Sequence, residues 1–203
     1  MIPLKISKDE VNSLEIGSFQ GDIVLIDGPE LLAGAVKELK KEKFLGFDTE
    51  TRPAFRKGVS HEVSLLQLAT LDNAFLFRLN HIGLPAGVQD ILENPLITKV
   101  GAAVRDDLKA LRKLSPGFNA DGFFDLNEEL KKIGFQNVGV RNLSAMVLNI
   151  RISKSEQVSN WEAEKLTDKQ LLYAATDAWA CLAIFQKLYR DGFLDELYFN
   201  PLY

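Results

Sequence analysis

The chain has 203 residues, 24 of them basic and 28 acidic, for a formal net charge of −4; 46% are hydrophobic and 26% charged. That composition excludes a disordered chain, and the apolar runs fall short of the ~20 residues a membrane helix needs. One cysteine, Cys181, excludes an intramolecular disulfide framework, and two histidines beside it leave little for a zinc site of nitrogen and sulfur ligands. The acidic balance gives no global attraction to nucleic acid, so such a role would need a local basic groove or metal ions bridging phosphates to acidic groups. The length suits one domain: residues 1–21, polar and weakly patterned, read as a lead-in segment and 22–203 as a single domain. The first ten residues, broken by Lys5, Lys8, Asp9 and Glu10, do not read as a signal peptide, and the expected location is cytoplasmic with no membrane partner.

In chain order, Asp22 to Ile26 is a short strand, and Gly28-Pro29-Glu30 opens a helix with Leu31, Leu32, Ala35, Val36 and Leu39 at helical spacing. Phe44 to Glu50 reads as a strand, and Arg52 to Ser60 as a loop. Val63 to Thr70 and Ala74 to Leu79 read as strands turning at Asp72-Asn73, and Ile97 to Gly101 as another. A helix from Ala103 to Leu114 stops at Pro116 and Gly117. Shorter helices are expected over 126–133 and 143–148. The longest runs from Thr167 to Arg190, with Thr167 as N-cap and Gln170 at its third position. Three consecutive strands in antiparallel order, then helices alternating with strands, predict a mixed sheet covered by helices.

Four carboxylates stand in unusual places. Asp48 and Glu50 are two apart on a strand and share a face, about 6.6–6.8 Å apart along the chain, close enough to share metal ions; a solvated strand end is the alternative. Asp107 lies inside the stripe of Val104, Leu108, Leu111 and Leu114, where a carboxylate needs a partner or a metal. A helix-start carboxylate serving the dipole is the alternative there, and it suits Asp106 better. Asp177 is the lone charge of the apolar run 171–185, with Tyr173 one turn earlier on the same face and no Lys or Arg within a turn. An Asp paired to a distant Arg, with Tyr173 in the core, is its alternative. An all-oxygen donor set favours Mg²⁺ or Mn²⁺, and paired divalent ions recur in phosphoryl transfer.

With these residues in order, the chain resembles the DEDD superfamily of 3′–5′ exonucleases, in the subgroup whose third motif carries a tyrosine. Asp48-Thr49-Glu50 matches the first motif, Asp107 the second, and Tyr173 with Asp177 the third. Ser159-Asn160-Trp161, Leu166-Thr167 and Tyr173 to Ala178 are especially similar to ribonuclease D and the exonuclease domain of the Werner syndrome helicase. The resemblance runs over residues 22 to 190. It implies a ribonuclease H-like fold: a mixed β-sheet of about five strands, the first three antiparallel, flanked by α-helices. It implies two divalent ions, Mg²⁺ or Mn²⁺, one held by Asp48, Glu50 and Asp177 and a second bridged by Asp48 and supported by Asp107. Tyr173 would orient the attacking water, and nucleoside 5′-monophosphates would leave a single-stranded 3′ end of DNA or RNA. Many relatives carry Asn or His where this chain has Ala103. The chain has no room for a helicase or for added helical domains, so a nearly solitary catalytic domain is expected. The competing reading is a non-catalytic nucleic-acid-binding or scaffold domain of the same fold.

Arg52, Phe55 and Lys57, in the loop after the first motif, combine charge with an aromatic ring and are candidate contacts to a single strand; a solvated loop with Phe55 against the core is the alternative. Thr49, Lys154 and Trp161 complete the candidate substrate contacts, with Trp161 equally suited to packing. His61 has no neighbour that would make it a base, and Cys181 reads as an inert buried thiol.

Overall fold

In the computed structural model, which describes residues 2–56 and 58–195, one mixed sheet organises the chain. Its strands are β1 (Asp22–Ile26), β2 (Phe44–Thr51), β3 (Val63–Ala69), β4 (Asn73–Phe77), β5 (Thr98–Gly101) and β6 (Phe123–Asp125), in the spatial order β1-β4-β3-β2-β5-β6. The helices are α1 (Lys8–Ser13), α2 (Leu32–Leu39), α3 (Leu79–Ile82), α4 (Ala86–Glu93), α5 (Arg105–Leu114), α6 (Leu126–Lys132), α7 (Val140–Leu143) and α8 (Asp168–Arg190), with a π-helical turn at Ser144–Leu148. No helix among the described residues is long and apolar enough to cross a membrane.

β2, β3 and β4 pair antiparallel in succession, as expected. β1, first in the chain, instead lies at the sheet edge, parallel to β4. Among the described residues six strands form rather than about five, because Phe123–Asp125 adds a parallel edge beside β5. Three residues are too few to show a period of two, which hid β6 from the sequence. β3 is buried along its whole length, since helices cover both faces of the sheet at its centre.

Side chains alternate across β2 and divide the core. Leu45 and Phe47 face a layer with Ala35, Leu39, Val88, Ile91 and Leu111 of α2, α4 and α5, and with Val104 at the start of α5. The opposite face of the sheet meets α8, through Ala175, Ala178, Cys181, Ile184 and Phe185. α8 is capped by a reciprocal pair, Thr167 accepting from the Gln170 amide while the Gln170 side chain accepts from Thr167 N–H. α1, within the segment where no element is predicted, is capped the same way by Ser7 and Glu10. α4 is also unpredicted, although Val88, Ile91 and Leu92 have helical spacing.

β2 and β5 are parallel, so their carboxyl ends lie at the same edge of the sheet. α5 leaves β5 there from one face and α8 crosses from the other. Carboxyl ends of parallel strands are where open α/β sheets place ligands.

Candidate active site

Asp48 and Glu50 project from the end of β2 toward α8, and Asp177 comes down to meet them. One oxygen from each of the three carboxylates lies within 4.8 Å of the others. Glu50 is buried, and Asp48 and Asp177 are partly buried. Among the described residues no Lys or Arg is ion-paired to any of the three.

Burial, then the charges of Glu50, Asp177 and Asp107, push Asp48 well above the usual carboxylate range. Burial, then Asp177 and Asp107, push Glu50 up to about 9. Asp177 is pushed up to about 7 by burial, against the Tyr173 hydroxyl and the charge of Lys154. Burial and the neighbouring carboxylates also hold the Tyr173 hydroxyl above its ordinary value. Three oxygen ligands crowded within 4.8 Å of one another, each disfavoured as an anion by burial, make a donor set suited to a hard divalent ion.

Asp107 stands outside this trio. It reaches the site from the α5 side, where the Thr49 hydroxyl, on the other face of β2, donates to its Oδ1 at 2.5 Å. Burial pushes Asp107 up to about 6, with the Thr49 hydroxyl pulling the other way. Asp106 is exposed, as expected. α5 begins at Arg105 rather than Ala103, because Ala103 takes a left-handed conformation with φ of 59°. That turn is held by Asp125, whose carboxylate accepts from the N–H groups of Ala103 and Val104, each at 3.0 Å. The same carboxylate caps α6 through the N–H groups of Asn127 at 2.8 Å and Glu128 at 3.3 Å. Sequence reading passed over Asp125, though Asp125-Leu126-Asn127-Glu128 carries the signal of a helix cap.

A cleft of about 350 Å³ opens over the carboxylates, lined by Asn142, Ser153, Lys154 and Gln157 as well as Asp48, Glu50, Tyr173 and Asp177. Lys154 is exposed there and bears on Asp177. Trp161 does not line the cleft: it is fully buried, 6.0 Å ring to ring behind Tyr173, in a packing position. Arg52 and Phe55 lie in a neighbouring groove with Val158, Ser159 and Asn160. Phe55 is 84% exposed rather than tucked against the core, and Arg52 is bound to Glu162 at 3.0 Å. Glu162 also meets His61 at 3.0 Å. Lys57 lies outside the described residues. Cys181 is buried, as expected of an inert thiol.

A family model described as 3′–5′ exonuclease matches residues 23–192. Ribonuclease D of Gluconacetobacter diazotrophicus is 33% identical over 182 residues, covering 86% of this chain and 45% of that protein. The bifunctional 3′–5′ exonuclease/ATP-dependent helicase WRN of Mus musculus is 34% identical over 157 residues, covering 73% of this chain and 11% of that protein. The chain thus spans less than half the length of either relative. Among solved structures, the Nibbler EXO domain of Aedes aegypti superposes with a TM-score of 0.78 at 24% identity, covering 86% of this chain and 91% of that one. With most of its length matched by the family model, and with the mixed sheet of these ribonuclease H-like domains, the chain belongs to the 3′–5′ exonuclease family.

Proposed function

We propose that the chain hydrolyses phosphodiester bonds from a single-stranded 3′ end of DNA or RNA, using two divalent ions, Mg²⁺ or Mn²⁺, and releasing nucleoside 5′-monophosphates. The observation that carries this reading is the convergence of Asp48, Glu50 and Asp177 from β2 and α8 beneath an open cleft, with no cation paired to them among the described residues. Asp48, Glu50 and Asp177 would hold one ion, and Asp48 with Asp107 a second. Ions bound there lower the pKa of the attacking water and offset charge on the leaving 3′-oxygen. Tyr173, which keeps its phenolic proton and donates it to Asp177 in a hydrogen bond, would hold the attacking water beside that carboxylate through its hydroxyl oxygen. Lys154 supplies the positive charge that draws a phosphate into the cleft. The exposed ring of Phe55 offers a face on which a base further along the strand stacks, and Arg52 and Lys57 supply charge for its backbone.

The test is a nuclease assay on 3′-labelled and 5′-labelled single-stranded DNA and RNA with Mg²⁺, Mn²⁺ or EDTA, for the wild type and Asp177→Asn. A metal-dependent ladder shortening from the 3′ end, absent in the variant, is expected. Folded protein that binds these strands and cuts none of them would instead favour a non-catalytic binding domain.

A further inference from the structure

Gln67 of β3 lies directly across the strand pair from Asp48 of β2. Its side chain is fully buried, and among the described residues neither its Nε2 nor its Oε1 has a hydrogen-bond partner. Cross-strand partners share a face of the sheet, with Cβ atoms about 4.5–5.5 Å apart. On that face Leu65, two residues before Gln67, packs with Trp161 and Ala174. Ala69, two residues after, packs with Ala175 and Ala178. The amide is therefore enclosed beneath the stretch of α8 that carries Asp177, and it does not line the open cleft.

An unpaired buried amide is costly, and an apolar residue of the same shape would avoid that cost. The core carries it at the β3 position opposite Asp48, while the position opposite Glu50 is the apolar Leu65. A neutral donor has a specific use there. A buried Lys or Arg would pair with Asp48 and oppose any cation entering the cluster, whereas an amide N–H can hold one carboxylate oxygen and add no charge.

We propose that Gln67 is a positioning residue: its Nε2–H donates to the Asp48 carboxylate when the cluster holds divalent ions, and so sets which oxygens of Asp48 face them. This rests on the reading of the cluster as an ion site. Partners of metal ligands orient the ligand, and their loss typically costs about 10–100-fold in metal affinity or activity.

The test compares wild type, Gln67→Met and Gln67→Leu, the methionine being closest in length should the leucine variant fail to fold. Thermal unfolding is measured in EDTA, Mn²⁺ binding by calorimetric titration, and kcat and KM on a labelled oligonucleotide. The variants are expected to melt in EDTA at or above the wild-type temperature, to bind Mn²⁺ about tenfold or more weakly, and to lose kcat by a similar factor with KM held. A folded variant with wild-type Mn²⁺ affinity would overturn the proposal. So would a lower melting temperature in EDTA, which would mean that the amide is bonded within the core, where Trp161 Nε1 is another buried donor without a partner among the described residues. Wild type that binds no Mn²⁺ would remove the ion site itself and Gln67's role with it, whereas equal binding by wild type and variant removes the role of Gln67 alone.

Discussion

Gly46 and Ala178 meet backbone to backbone. A Cβ on Gly46 would collide with the Ala178 carbonyl oxygen and press on the Leu182 side chain at 3.3 Å. Gly46, Asp48 and Glu50 share one face of β2, and Ala178 follows Asp177 on α8, so this contact sets how closely the carboxylates of the two elements approach. Gly46→Ala is expected to destabilise the fold by about 1–3 kcal/mol in urea unfolding, because the helix must lift. The rise in melting temperature on adding Mn²⁺ should shrink with it, since Asp177 is carried away from Asp48. Unchanged stability would show that α8 is not seated on this contact.

Stability without metal should fall as pH rises. Glu50 is held up to about 9 and Asp177 up to about 7 in the folded protein, against values near 4 in the unfolded chain. Each group binds more protons folded than unfolded, so its contribution is fully present below about pH 4 and is lost as pH rises through its folded value. Melting temperature in EDTA is expected to fall between about pH 5 and 9. Asp177→Asn should flatten that fall below pH 7. Excess Mn²⁺ should reverse it, because ions bind the deprotonated carboxylates. A pH-independent melting temperature in EDTA would contradict the proton-holding cluster.

The Thr49–Asp107 hydrogen bond is the one direct link among the described residues between β2 and the α5 carboxylate. Thr49→Val keeps the shape and removes the donor. It is expected to lower kcat/KM by about tenfold, as losses of ligand-orienting partners do. Thr49→Ser, which restores the hydroxyl, should recover most of it. Equal activity in the serine and valine variants would show that Asp107 needs no such restraint.

Asp125 and Ala103 control where α5 starts. Asp125→Ala leaves four backbone N–H groups without their acceptor and is expected to cost about 2–3 kcal/mol in denaturant unfolding, more than the loss of an ordinary helix cap.

Ala103 works against the same turn, since a left-handed alanine is disfavoured and Asn tolerates that region better. Ala103→Asn is expected to raise stability by about 0.5–1 kcal/mol. A loss of stability in this variant would show that Ala103 carries no backbone strain.

Local pattern carried a large part of this molecule. Alternation and β-branched or aromatic content marked β1 to β5 to within about two residues, and helical spacing marked α2, α5 and α8. Strand geometry alone puts Asp48 and Glu50 on one face, and helix geometry alone puts Tyr173 beside Asp177, because both relations depend only on residues two or four apart. What lay beyond reach was everything decided between distant segments. No periodicity reveals that three residues, Phe123–Asp125, complete the sheet, or that Phe55 stands exposed while Trp161 is packed behind Tyr173. The approach of Asp177 to Asp48 depends on backbone contact at Gly46, the tether of Asp107 depends on a hydroxyl from the opposite face of β2, and the unpaired amide of Gln67 is visible only once β3 lies beside β2. Sequence determines which face a side chain takes along its own element; the packing of one element on another decides what that side chain meets, because burial and hydrogen bonding are settled by neighbours that come from far along the chain.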